Sequence, residues 1–222
     1  MIIGGGFDNT AGAEKSFIGG GQFNVVDQSG IGGRVSFIGG GHRNQMFGDT
    51  SFIGGGSRNV VNLTAFYNFI GGGMLNSILT NDSSTIGGGA LNRILAESDA
   101  STIGGGMNNT IQTNSLVGFI GGGRGNTITD VDSATIGGGA MNLITTDADA
   151  STIGGGNNNN ILDGANFGAI LGGASNNINQ GTHNTISGGN TNSIGTGNNN
   201  AIIGGTNNIV GGNNSAVLGG RN

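Results

Sequence analysis

The chain has no cysteine, no proline and no tryptophan, and only 9% of its 222 residues are charged. Without cysteine there is neither a disulfide framework nor a thiolate metal site. Seven Lys and Arg, scattered singly against twelve acids, give a net charge of -5 and no basic patch to neutralise phosphates, which argues against nucleic acid as a partner. No run of 18 apolar residues could cross a bilayer, so direct membrane insertion is not expected. At 34% hydrophobic the chain cannot fill a thick core, yet it lacks the charge density that holds disordered segments open. What it has in abundance is glycine, 52 residues of it, together with asparagine. That usage belongs to a repeat protein that folds by stacking.

The repeat is Ile-Gly-Gly-Gly-x-x-Asn-x-Ile, returning every 15 to 17 residues. With the first apolar residue as anchor, copies begin at Ile3, Ile18, Ile38, Ile53, Ile70, Ile86, Ile103, Ile120, Ile136, Ile153, Ile170, Ile186 and Ile202, and a shortened one at Val217. One step, from Ile18 to Ile38, is longer at 20 residues, and Ser29 to Gly33 reads as a loop insertion. The whole of 1–222 is one repeat domain, with 164–222 an acid-free sub-segment of shorter rungs that is expected to be narrower or differently packed.

Three positions hold in all thirteen complete copies. Glycine stands two and three places after the anchor, as in Gly72 and Gly73, Gly88 and Gly89, and Gly105 and Gly106, which predicts positive φ or backbones too close for a Cβ. Asparagine stands six places after it, including Asn59, Asn76, Asn92, Asn109, Asn126, Asn142 and Asn159. Asparagine tolerates the left-handed region and suits a turn, and stacked amides can also bond in a ladder. Eight places after the anchor the residue is always apolar, so each rung offers two inward columns from two short strands. Helices are excluded, because interior glycine costs about 1 kcal/mol each and no spacing is 3.6. The fold class is all-β, a parallel β-roll or β-solenoid.

Two apolar residues per rung are thin against the entropy of ordering the rung, so a covering surface is expected. The residue before the anchor faces outward and is Phe17, Phe37, Phe52, Phe69 or Phe119 in some copies and Thr in others. That column predicts burial against identical chains wound about one axis, a homotrimer. Charge is sorted too. Eleven of twelve acids fall nine to thirteen places after an anchor, whereas Arg43, Arg58, Arg93, Arg124 and Arg221 fall four to seven places after one. Acidic loops of one chain would then lie near basic turns of the next, and reversing Arg58, Arg93 and Arg124 to Glu should loosen the trimer.

The element from Ser101 to Ile111, repeated at Ser151 to Ile161, resembles the YadA-like head repeats of trimeric autotransporter adhesins and similar repeats of trimeric phage and viral tail fibres. The resemblance covers essentially the whole chain in period, glycine pair and asparagine. It implies a left-handed trimeric β-roll on a cell surface or virion surface, extracellular, acting as a structural or adhesive fibre segment toward a host receptor or glycan. Stalk, neck, membrane anchor and chaperone domains of that family are expected outside this chain, as is any export signal. Further fibre domains, or stacked copies forming a filament, are expected at both ends, since open rolls carry caps.

Chemistry is sparse. The glycine runs lack the Gly-Lys-Ser/Thr of a phosphate loop, and calcium-binding nonapeptide rolls need Asp where Asn follows here. His42 and His183 stand nine rungs apart, roughly 40 Å at about 4.8 Å per rung, so they share no site. No catalytic residue, cofactor or dedicated metal site is assigned and no enzyme activity is expected. The best ion candidates are Asp130, Asp132, Asp147 and Asp149 on adjacent rungs, where calcium is the fitting cation and a solvated loop the plainer reading. A threonine column one per rung, interrupted by Phe, is a weak match to an ice-binding array. The longer loops, Asp27 to Phe37 and Leu63 to Phe69 with Phe66 and Tyr67, are where a receptor contact would sit.

Overall fold

The computed structural model describes residues 1–27, 35–62 and 65–221, and the expected loop insertion at Ser29 to Gly33 lies outside them, as does Leu63. The described residues form a parallel β-solenoid with no helix, in which every strand is two residues long. The anchors build a 14-stranded sheet from Ile2–Ile3 to Ala216–Val217, and the second apolar positions a 13-stranded sheet from Thr10–Ala11 to Ile209–Val210. Register never slips, because each anchor sits on the next: Ile18 pairs with Ile38 across the long step as Ile86 pairs with Ile103 across an ordinary one. Backbone bonds run from coil to coil, Gly87 N–H to the Ile103 carbonyl at 2.9 Å and Thr110 N–H to the Asn126 carbonyl at 2.9 Å.

The two inward columns are as the repeat requires. Isoleucines from Ile18 to Ile202, with Val26, Met46 and Val61, are fully buried. Three further columns line the interior. The repeat asparagines are themselves buried, as are Ser or Asn two places before the anchor, such as Ser51, Ser101, Ser151 and Asn184, and small residues five places before it, such as Ala65, Ser98 and Ala148. Side chains this short let the two sheets close over a thin apolar filling, which is how a chain with so little hydrophobic content makes a core.

The turns differ from the sequence expectation in one respect. The left-handed residue is the one before the asparagine: Arg58, Leu75, Leu91, Asn108 and Met141 have φ between 54° and 60°, whereas the asparagines do not. The asparagine's backbone must stay extended to enter the second strand while its amide turns inward, so the reversal falls one residue earlier. Among the described residues a second left-handed residue stands three places before most anchors, at Tyr67, Ser83, Ala100, Val117, Ala150 and His183 among others.

The two repeated glycines have different causes. Gly106 has φ +87° and a Cβ on it would stand 2.1 Å from the Gly123 carbonyl oxygen, so both conformation and space demand glycine. Gly105, one place earlier, has neither constraint: its φ is not positive and nothing lies within 4 Å of where its Cβ would be.

Candidate functional site

Asn109 shows what the asparagine column does. Its backbone N–H donates to Asn92 Oδ1 at 3.0 Å, and its Nδ2 donates to the carbonyls of Gly105 at 2.9 Å and of Gly123 on the next coil at 3.0 Å. Its own Oδ1 accepts the backbone N–H of Asn126 at 3.0 Å. Asn59, Asn76, Asn92, Asn126, Asn142 and Asn159 repeat the pattern. Direct amide-to-amide bonds join some neighbours, Asn59 to Asn44 and Asn176 to Asn159 at 3.1 Å. The expected ladder exists, and its continuous rail is backbone N–H to side-chain oxygen. Gly72, Gly105 and their equivalents supply carbonyls to it.

The acidic loops carry two columns with separate structural causes. Four places before the anchor, one side-chain oxygen accepts the backbone N–H of the equivalent residue on the preceding coil. Asp82 takes that of Phe66 at 2.9 Å, Asp99 that of Asp82 at 2.8 Å, Asp132 that of Leu116 at 3.0 Å and Asp149 that of Asp132 at 2.9 Å. Asn166, Asn198 and Asn213 do the same farther along. Asparagine therefore replaces aspartate in the same bond, so a loop beyond Asp163 keeps that bond without an acid. Six places before the anchor, Glu97, Asn114, Asp130 and Asp147 have φ between 53° and 57°, a region that Asp and Asn tolerate better than most.

Asp130, Asp132, Asp147 and Asp149 are brought together around an open depression of about 430 Å³ that Glu97, Asn114 and Leu116 also line. Among the described residues no group of three or more His, Cys, Asp or Glu side chains is placed to hold a metal ion. The depression offers negative potential to cations, while Asp132 and Asp149 each commit one oxygen to a backbone N–H.

The aromatic residues fall into distinct arrangements. Phe17, Phe37, Phe52 and Phe69 stack face to face along the axis, with centroids 4.8, 4.9 and 5.2 Å apart. Each ring thus covers its neighbour's faces and leaves its edge outward, so part of the burial that this column calls for comes from within the chain. Phe119 stands apart from them and is 42% exposed. Phe66 and Tyr67 lie side by side on the loop edge, 38% and 59% exposed. His42 packs edge-on to Phe23, and His183, nine coils away in the sequence pattern, stacks on Phe167 at 4.9 Å.

The sequence also holds a shorter spacing within the 15 to 17 residue period. Asn184, Asn192, Asn200 and Asn208 stand eight apart, each followed two places later by Ile or Val. In the structure alternate members belong to opposite turns, and Asn200 N–H donates to Asn184 Oδ1 at 3.0 Å as Asn208 N–H donates to Asn192 Oδ1 at 3.0 Å. Both turns of a coil there use the same device, so each coil is two similar halves. Neither a family model nor a curated protein sequence matches the chain.

Proposed function

We propose that the chain is a structural and adhesive segment of a homotrimeric surface fibre, on a virion or a cell, that spaces and presents receptor-binding surface. It is read as a non-enzymatic, extracellular protein whose neighbours are further fibre domains or stacked copies, with a host receptor or glycan as ligand. The observation that carries this is the unbroken course of both sheets and the asparagine rail through every coil. Thirteen coils at about 4.8 Å make a rod of roughly 60 Å whose hydrogen bonds lie along its length, a form suited to spacing. Assembly is supported by Gly88, Gly105 and Gly138, glycines that neither a left-handed φ nor a close contact within one chain explains. The exposed edges of the phenylalanine stack add apolar surface for the same purpose.

Light scattering on the intact protein, first with calcium and then with chelator, tests this reading. A mass of three chains in both conditions is the expected result, and a single-chain mass overturns the trimer. Very large polymers would replace it with a self-stacking filament. A chelator-dependent mass would assign the acidic depression to an ion.

A further inference from the structure

The outer face of the second sheet carries a groove of about 280 Å³ on three adjacent coils. Leu75, Leu79, Leu91 and Leu95 line it, all half-buried, with the exposed guanidinium side chains of Arg58 and Arg93 beside them. Leu75 and Leu91 are placed there by their left-handed turns, at φ 58° and 60°. Neither arginine is joined to a carboxylate among the described residues. An apolar trough flanked by unpaired positive charge calls for an occupant that is apolar and acidic.

The same coils display such a surface on their loop edge. Phe66 and Tyr67 project there, followed by the exposed acids Asp82, Glu97 and Asp99. Asp82 and Asp99 each spend one oxygen on a backbone N–H and keep the other for a cation. We infer that the leucine and arginine groove receives the loop edge of a second copy of this chain, its Phe66 and Tyr67 against the leucines and its Glu97 and Asp99 toward Arg93. This deepens the assembly reading above and rests on it.

The levels agree to within one coil along the axis. Tyr67 stands two places before the strand Phe69–Ile70, and Leu75 two places before Ser77–Ile78 of the same coil. Glu97 and Asp99 lie in the loop that leads from the strand Arg93–Ile94 to Thr102–Ile103, so they approach Arg93 from the coil beyond. A neighbour standing parallel and within one coil of level therefore meets groove with edge. Because the two surfaces differ, the contact is head-to-tail around the axis and repeats until the ring closes. Matched charges set which neighbour and which level are accepted more than they set affinity.

The absence of cysteine makes the test clean. Tyr67 and Leu75 lie on opposite turns of a coil, so a Tyr67→Cys/Leu75→Cys variant can form the expected disulfide only between chains. Under mild oxidation, covalent multimers should appear in the double variant and in neither single variant, while light scattering reports a multi-chain mass. A multi-chain mass with no covalent product, or with product from a single variant, overturns the docking and leaves assembly standing. A single-chain mass overturns both. Arg93→Glu, an exposed substitution with no bearing on the core, should weaken association at least tenfold, and an unchanged association constant would also overturn the proposal.

Discussion

The side-chain oxygen of Asn109 accepts the backbone N–H of Asn126, 17 residues on, at 3.0 Å. One amide thereby joins two coils and holds two glycine carbonyls as well, with all of its polar atoms out of water. Asn109→Ala leaves a buried N–H and two carbonyls short of a partner, and at about 1 to 3 kcal/mol for an unsatisfied buried group the expected loss is roughly 3 kcal/mol. Denaturant unfolding measures it. A loss below about 0.5 kcal/mol, the scale of an ordinary surface change, would show that the rail contributes nothing.

Gly105 and Gly106 should respond oppositely to the same substitution. Gly106→Ala meets the Gly123 carbonyl and a strained φ and should cost at least about 3 kcal/mol of stability. Gly105→Ala should leave the chain's own stability within about 0.5 kcal/mol, because its Cβ enters open space. If identical chains converge on that column, Gly105→Ala instead lowers the assembled mass. Paired unfolding and light-scattering measurements separate the two effects.

Asp132→Asn should be close to neutral, since Asn166 makes the equivalent bond to Asp149 at 2.7 Å. Asp132→Ala removes the acceptor for the Leu116 N–H and should cost about 1 kcal/mol, at the edge where water partly substitutes. Equal losses from both variants would mean that the charge, and not the hydrogen bond, matters there.

Ala150→Gly is predicted to stabilise. Ala150 is exposed and left-handed at φ 54°, a conformation costing roughly 1 kcal/mol for a residue with a Cβ and little for glycine. The gain, net of glycine's greater freedom when unfolded, should be about 0.5 kcal/mol and visible as a raised melting temperature. A drop would show that this turn is relaxed as it stands.

The coil was legible in the sequence because the tightest constraints fall on fixed residue types. Gly106 and Asn109 tolerate no substitute for their contacts, so they recur and announce the period. The buried columns at Ser101 and Ser98 were hidden by tolerance, as Ser, Asn, Ala and Gly all fit a small space. The acid columns were visible as charge but not as structure. Aspartate at 132 and asparagine at 166 do one job in one bond, a likeness that appears only when coils are stacked. Turn conformation was misplaced by one residue because a left-handed position held by Arg58, Leu75 or Met141 carries no chemical mark. Phe17 and Phe37 read as surface awaiting a partner, yet their stacking distance is set by coil spacing alone.

The rail has a direction. Each asparagine oxygen faces the coil that comes later in the chain, and each closure spans only 12 to 20 residues along the sequence. A finished coil is thus a template with its acceptor already in place for the segment that emerges next from the ribosome. Vectorial addition of this kind never waits for a distant stretch of chain, so contact order stays low however many coils are added, and lengthening such a rod by duplication leaves its folding problem unchanged.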